Sequence, residues 1–483
     1  MAVSLFIFIV AIILIVFIML LIIFMLFRTL RFSSSLESVE AAELIEVEAL
    51  DIAAHLAEVI QCETISHGDD QPPMAEAFHE LHQILEKNYP LVHNHLKLEL
   101  INEYSMLFTW EGLRPELAPI LLAAHQDVVP ADPTTLELWK HAPFSGAIAD
   151  NHVWGRGTLD NKNQMIASLE AVESLLKTGH QPQRTVFLAF GHDEEIGGSQ
   201  GAQQIVDTLL ERGIILAAVI DEGGSVMQGM LPGVDSSIAL VGTAEKGSLT
   251  LELSVESAPG HSAAPPPHTT IGTLAKALTR LEANPMPSNL STIIPIYKAA
   301  SPVLPFTVRV ALANQWLFGG MTRTTMTKNP QINALMRTTT AITMINGGIK
   351  VNILAPRASA KVNFRLFPGD TVADVIAHTR RVVADEQVDV KPLKNSGREA
   401  SATSSSDSKA FQTLSATIKQ VFGNIPVAPF LVFGGTDARY YTQISENVFR
   451  MTPIVTKPDD AGRVHGINER ISLQNLENMV KFF

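Results

Sequence analysis

The sequence specifies an α/β architecture with a mostly parallel central sheet, divided between two domains, and three observations carry that reading. Short apolar runs at 119–124, 185–190 and 217–220 are separated by longer helical stretches such as 163–178, the alternation expected of βαβ units. Each run is followed at once by ionisable residues: His125 and Asp127 after the first, Glu194 and Glu195 after the second, Asp221 after the third. One acid after a strand is usually a solvated loop or a helix cap. Three such clusters in register mark a site, because open parallel sheets build theirs beyond the carboxyl ends of the strands. The third observation is size, since 483 residues exceed what one hydrophobic core usually organises.

The N-terminal segment is a separate physical problem. Met1 to Phe27 carries no charged side chain and as a helix would span about 40 Å, enough to cross a bilayer core of about 30 Å with tilt. A cleavable signal would begin with basic residues and hold an apolar run of only about 7–15 residues. Apolarity on every face at this length also argues against a buried core helix. The expectation is an uncleaved single-pass anchor over 1–31. Arg28 and Arg31 close the span, and the positive-inside rule puts the domain beyond them in the cytoplasm, although two arginines leave the side of the membrane open. Residues 32–50 turn acidic and Ser-rich, as a stalk running into a first surface helix would. No internal repeat is present.

With 46% hydrophobic and 18% charged residues the remainder has the balance of a folded globular protein, and a net charge of −13 disfavours nucleic acid as a partner. Cationic metals suit it better. Cys62 is the only cysteine, so no intrachain disulfide can form, a metal site would use His and carboxylates, and the thiol itself reads as packed. Hydrolysing an amide near neutral pH needs a metal to acidify water, a donor for the oxyanion and a carboxylate to move the proton. Candidate ligands are His125, Asp160, Glu195, Asp221 and the distant His465, with Glu194 a spare carboxylate beside a ligand. Asp127 is placed to accept the proton of the His125 nitrogen that faces away from the metal. His152, His180 and His192 are poorer candidates.

Six strings then point to a family: His-Gln-Asp-Val-Val-Pro (125–130), Gly-Arg-Gly-Thr-Leu-Asp-Asn-Lys (155–162), Gly-His-Asp-Glu-Glu-Ile-Gly-Gly (191–198), Asp-Glu-Gly-Gly (221–224), Ala-Pro-Gly-His-Ser (258–262) and Gly-Arg-Val-His-Gly (462–466). In this order they resemble the di-zinc hydrolases of the aminoacylase, carboxypeptidase S and glutamate carboxypeptidase family. Phe-Gly-Gly-Thr-Asp-Ala-Arg-Tyr-Tyr (433–441) brings the likeness nearest to carboxypeptidase S and the N-fatty-acyl-amino-acid hydrolases. The resemblance implies a zinc-peptidase catalytic domain (51–244 and 395–483) with an inserted ferredoxin-like α/β lid (245–394). It implies that His125 and Asp221 hold one zinc, Glu195 and His465 the other, and Asp160 bridges both, with cobalt or manganese as alternative ions. Glu194 would be the general base, His261 an oxyanion donor reaching in from the lid. A cis peptide is expected between Asp160 and Asn161.

Within the lid, strands are expected at 248–255 and 358–367 and helices at 270–283 and 371–385, with extra helices between 284 and 344. In relatives with a small lid, dimerisation can supply the lid histidine from a neighbouring subunit. The longer lid here favours a monomer, with a lid-mediated homodimer as the alternative. The substrate is expected to be a small molecule or short peptide with a free carboxylate, read by the guanidinium of Arg365. Asn352 and the loop Gly434, Gly435, Thr436 resemble other substrate-contacting positions. The expected activity is that of a carboxypeptidase or aminoacylase. A specialised succinyl or acetyl deacylase and an inactive ligand-binding relative are the alternatives, disfavoured respectively by the apolar N-terminus and by the intact Glu194 and ligand set.

Overall fold

The computed structural model describes residues 2–33, 38–68, 73–394, 396–460 and 462–483. At its centre lies the strand Ile120–His125, whose two faces are both apolar. Leu121 and Ala123 pack with Ile205 and Val206 on one side, while Leu122 and Ala124 pack with Met165, Ile166 and Leu169 on the other. Consecutive apolar residues are what a strand covered on both faces requires. It pairs in parallel with Val186–Gly191 and with Ala218–Asp221, so that all three strands end on the same edge.

The large sheet has ten strands and is mixed rather than mostly parallel. Lys97–Ile101 and Ser105–Trp110 form an antiparallel hairpin that adds to Val186–Gly191, and Ser225–Gln228 pairs antiparallel with Ser237–Glu245. Connection length is the physical reason. A parallel pair needs a crossover of a dozen or so residues, whereas the first hairpin turns through Asn102 and Glu103 at positive φ of 47° and 72°.

A second, antiparallel sheet contains Thr339–Gly347, Arg357–Leu366, Gly247–Glu256 and Val388–Pro392, in that order. Gly247–Glu256 alternates buried and half-exposed residues along its length, and its buried face carries the helices Thr270–Ala283 and Val372–Val383. The expected extra helices are Ile293–Ala299, Phe306–Ala313, Gln315–Met326 and Pro330–Met336. Their apolar residues share a core with Ile238, Leu240, Ala428 and Phe430 of the large sheet.

The N-terminal helix runs Ala2–Phe32, and its residues 5–32 are apolar and long enough to cross a membrane. Its end does not stand clear of the body: Thr29 is buried and Phe32 joins the core shared by the extra helices and the large sheet. Residues 34–37 of the expected stalk lie outside the described residues. The next helix, Ala49–Ile60, is no mere surface element, since Ile52, Ala53, Leu56, Val59 and Ile60 sit in the main core. Cys62 is buried there too, and burial pushes its thiol up to about 11.

Glu245 stands where the chain passes from one sheet to the other. Its fully buried carboxylate accepts from Arg450 Nε at 3.1 Å, Arg398 Nη1 at 2.7 Å, and the backbone N and Oγ1 of Thr436 at 3.2 and 3.1 Å. Arg450 is itself wholly buried, so removing its partner leaves an uncompensated interior charge. Glu245→Ala is expected to cost about 3–5 kcal/mol, read as a lowered urea midpoint, whereas breaking an exposed surface pair such as Lys140–Asp150 should leave that midpoint essentially unchanged.

Candidate functional site

The parallel strands set the site. His125 is the last residue of its strand, Glu194 and Glu195 lie in the short turn just beyond Gly191, and Glu222 comes directly after the strand that ends at Asp221. His125 Nδ1 donates to the main-chain carbonyl of Asp127 at 2.9 Å, with Asp127 Oδ1 at 3.3 Å, which turns Nε2 towards the cleft. Asp127 does a second job. Its carboxylate accepts the backbone N–H groups of Glu194 and Glu195, both at 3.1 Å, and the Ser66 hydroxyl at 2.7 Å. Those bonds, with His125, hold it below the usual carboxylate range although burial acts the other way.

Asp160 sits between the two histidines. Its Oδ1 is 3.0 Å from His125 Nε2 and its Oδ2 is 3.0 Å from His465 Nε2, which is 3.1 Å from Glu195 Oε2. The Asp160–Asn161 peptide is cis, as expected. Two sets of potential ligand atoms each fall within 4.8 Å: His125, Asp160 and Glu195, and His125, Glu194 and Glu222.

The second set departs from expectation. Asp221 was the residue expected to join His125, but its side chain is in neither set. Glu222 comes to 3.4 Å from His125 Nε2 instead. Successive side chains of a strand point to opposite faces, so only one of two adjacent acids can face the cleft. Asp221 turns towards Arg450 and Asp437, whose carboxyl is pushed up by burial and by Asp221. Composition gives no means of choosing between the members of the Asp-Glu pair; in this structure Glu222 lies nearer His125, while Asp221 Oδ2 is buried without a hydrogen-bond partner.

The electrostatics of this cluster fit a cation. Burial, then the neighbouring carboxylates, holds Glu194 and Glu222 well above the normal range, despite relief from His125. His125 is deeply buried, which opposes its charge, yet Glu222, Asp127 and Asp160 raise it well above 6.5. Hydrogen bonds to Asp160 and Glu195 raise His465 to about 10. Four carboxylates thus crowd two imidazoles and raise their affinity for protons. Glu195 Oε1 is buried without a hydrogen-bond partner. A divalent ion bound by neutral His and charged carboxylates resolves both features.

Arg365, Gly434, Gly435 and Thr436 line the same cleft, of about 860 Å³, as Asp160, Glu194, Glu195, Glu222 and His465. Arg398 and Arg439 line it as well and were not foreseen. Their signal is structural: Arg398 is drawn in by Glu245 and packs over Gly435, where any side chain would collide with its guanidinium. His261 and Asn352 stand elsewhere. They lie on neighbouring segments of the smaller unit, with Ser262 N donating to Asn352 O at 3.2 Å, and both side chains are exposed outside the cleft lining. His152 is bonded to Asp150 O and the buried His192 to Ser105, each within its own surroundings.

A family model, described as Peptidase family M20/M25/M40, matches residues 121–483. The N-fatty-acyl-amino acid synthase/hydrolase PM20D1 of Xenopus tropicalis is 40% identical over 445 residues, covering 91% of this chain and 86% of that protein. Carboxypeptidase S of Saccharomyces cerevisiae is 33% identical, covering 90% of this chain and 82% of that protein. Among solved structures, the M20 family metallo-carboxypeptidase Sso-CP2 of Sulfolobus solfataricus superposes with a TM-score of 0.64 at 20% identity, covering 90% and 98% of the two chains, which speaks for the fold.

The orientation of the Asp-Glu pair is testable by metal content. Glu222→Gln is expected to lose about one ion per chain after dialysis, while Asp221→Asn keeps its full complement with at most a 10–100-fold loss of affinity; metal analysis of the two purified variants distinguishes them.

Proposed function

The chain belongs to peptidase family M20/M25/M40 and is a metallohydrolase of amide bonds, and from that premise we propose that it releases a free amino acid from N-acyl amino acids or short peptides ending in a carboxylate. The observation that carries this reading is the meeting, in one cleft, of the Asp160-bridged histidines, the buried Glu194 and the guanidinium of Arg365. His125, Asp160 and Glu222 would hold one ion, and Asp160, Glu195 and His465 the other. Zinc is the ion we assign, with cobalt or manganese as substitutes. Bound there, two divalent ions supply Lewis acidity for a water and for the substrate carbonyl.

The rest is the work of side chains. Glu194 takes the proton of the attacking water and returns it to the departing nitrogen, a cycle suited to a carboxyl whose affinity for protons is raised. Asp127 positions that glutamate through the backbone and fixes the tautomer of His125. Arg365 receives the substrate carboxylate, aided by Arg398 and the Gly434–Thr436 loop. We assign 245–394 as a lid of ferredoxin-like build, supported by a four-stranded antiparallel sheet with two helices on one face. The catalytic domain takes 51–244 and 395–483.

His261 would stabilise the oxyanion and Asn352 contact the substrate once the lid closes, or once a second copy presents its own lid. The edge strand Thr339–Gly347, and Ile349 and Val351 at 94% and 100% exposure, favour the homodimer over the monomer that the sequence suggested. The N-terminal helix is assigned as a membrane anchor over 1–31, with 32–50 linking it to the body.

Amino-acid release from a panel of N-acyl amino acids and dipeptides tests the reading. Wild type is expected to release amino acid and to stop on chelation, and Glu194→Gln to retain its metals while turnover falls about 10²–10⁴-fold. Retention of activity by that variant would overturn the role of Glu194. Arg365→Ala is expected to raise KM about 10–100-fold for carboxylate-bearing substrates, with a far smaller effect on the corresponding amides; equal effects on both would remove it from carboxylate recognition.

A further inference from the structure

The helices inserted between 284 and 344 present an apolar face that neither sheet covers. In Gln315–Met326 the exposed residues Trp316, Leu317 and Met321 lie on one side of the helix, and Phe306 stands exposed at the start of the helix before it. Spacing of one, four and five residues is that of a single helical stripe. The opposite side of that helix is fixed: Gly319 and Thr322 are buried, and Met326 packs against the core that also holds Phe430 of the large sheet.

This face adjoins the end of the N-terminal helix. Asn314 Nδ2 donates to Met25 O and Thr29 Oγ1, both at 3.3 Å, Arg28 Nε donates to Ala313 O at 3.0 Å, and the Trp316 and Phe24 rings are 6.2 Å apart. Phe24 lies one helical turn on the apolar side of Arg28, so the contact sets Trp316 about 6 Å below the level of that arginine in a spanning helix. That is where tryptophan rings gather in membranes, at the boundary between headgroups and acyl chains.

Charge points the same way. The chain carries a net charge of −13, yet no Asp or Glu occurs between Glu282 and Asp370. The same stretch contains Arg309, Arg323 and Lys328, and Arg28 and Arg31 stand alongside on the N-terminal helix. A basic, acid-free face next to a membrane span attracts anionic headgroups.

We propose that Phe306, Trp316, Leu317 and Met321 form a second membrane contact, seated in the surface of an anionic phospholipid bilayer beside the N-terminal helix. The inference rests on reading that helix as an anchor. Its consequence is orientation: one span lets a domain swing, whereas a span plus a rigid apolar face holds the catalytic body against the lipid, where substrates with long acyl chains partition.

Trp316 makes this measurable, because it is 50% exposed while Trp110, Trp139 and Trp154 are at 7%, 9% and 5%. The full chain is reconstituted in vesicles of phosphatidylcholine and phosphatidylserine, with phosphatidylcholine brominated near the top of its acyl chains, and tested for flotation and tryptophan emission. Flotation with quenching that Trp316→Phe abolishes, that Leu317→Glu/Met321→Glu diminishes, and that weakens without phosphatidylserine is the expected result. The double variant should still hydrolyse a short, soluble substrate at the wild-type rate, showing that it folds. Flotation with no quenching of Trp316 overturns the second contact and leaves the anchor standing. Failure to float overturns the anchor and this inference with it, and equal quenching without phosphatidylserine removes the preference for anionic lipid.

Discussion

Packing four carboxylates and two imidazoles against one another in a largely buried cleft costs too much unless a cation shares the space, and the arrangement around the cleft is organised by that constraint. Asp160 alone faces both His125 and His465 at 3.0 Å. Glu194, Glu195 and Glu222 converge on the same volume from the ends of two strands. Crowding raises the proton affinity of the cluster, with Glu194 and Glu222 kept well above the ordinary carboxyl range and His465 raised to about 10. Divalent ions bound there would replace protons with a charge that every ligand can share, and under the proposed function would leave Glu194 free to move a proton rather than to store one.

The scaffold explains why such a cluster is tolerated. His125, Glu194, Glu195 and Glu222 are carried by the ends of strands whose other residues are apolar and covered on both faces, while Asp160 and His465 reach the cluster from turns, so local repulsion is opposed by a large core. The second buried network, around Glu245, lies close by and has a different character. Two arginines and a threonine satisfy its carboxylate fully, and it joins the two sheets to the Gly434–Thr436 loop. One network has its carboxylate fully paired by protein groups; the other leaves Glu195 Oε1 buried without a partner and is the one to which the proposed function assigns the chemistry.

Much of this was legible in the sequence because the relevant signals are local. Apolar runs ending in His125, in Gly191 before Glu194, and in Asp221 announce strands and site together, and Gly247–Glu256 alternates as a half-covered strand should. Four things were not legible for identifiable reasons. Whether Asp221 or Glu222 faces the cleft depends on which face of the sheet a strand end presents, and both are acids. The direction of the outer strands is hidden for two reasons: the first hairpin turns at Asn102 and Glu103 with no glycine or proline to announce it, and the Gly229, Pro232 and Gly233 of the second mark a turn without fixing the direction of the strand beyond. Arg398 takes its place through Glu245, 153 residues earlier, a contact that no local pattern encodes. His261 and Asn352 were found as residues, but their separation from the cleft is a property of how the two units sit.

The claim on which the account rests is that this cluster is a two-metal centre built from oxygen and nitrogen alone. X-ray absorption at the zinc edge of the full chain loaded with zinc tests it most directly. The account predicts a first shell of oxygen and nitrogen only, histidine outer-shell features, and a metal–metal vector at about 3.5–4 Å. A sulfur scatterer, which only Cys62 or a methionine could supply, or a lone ion with no metal neighbour at saturation, would contradict it.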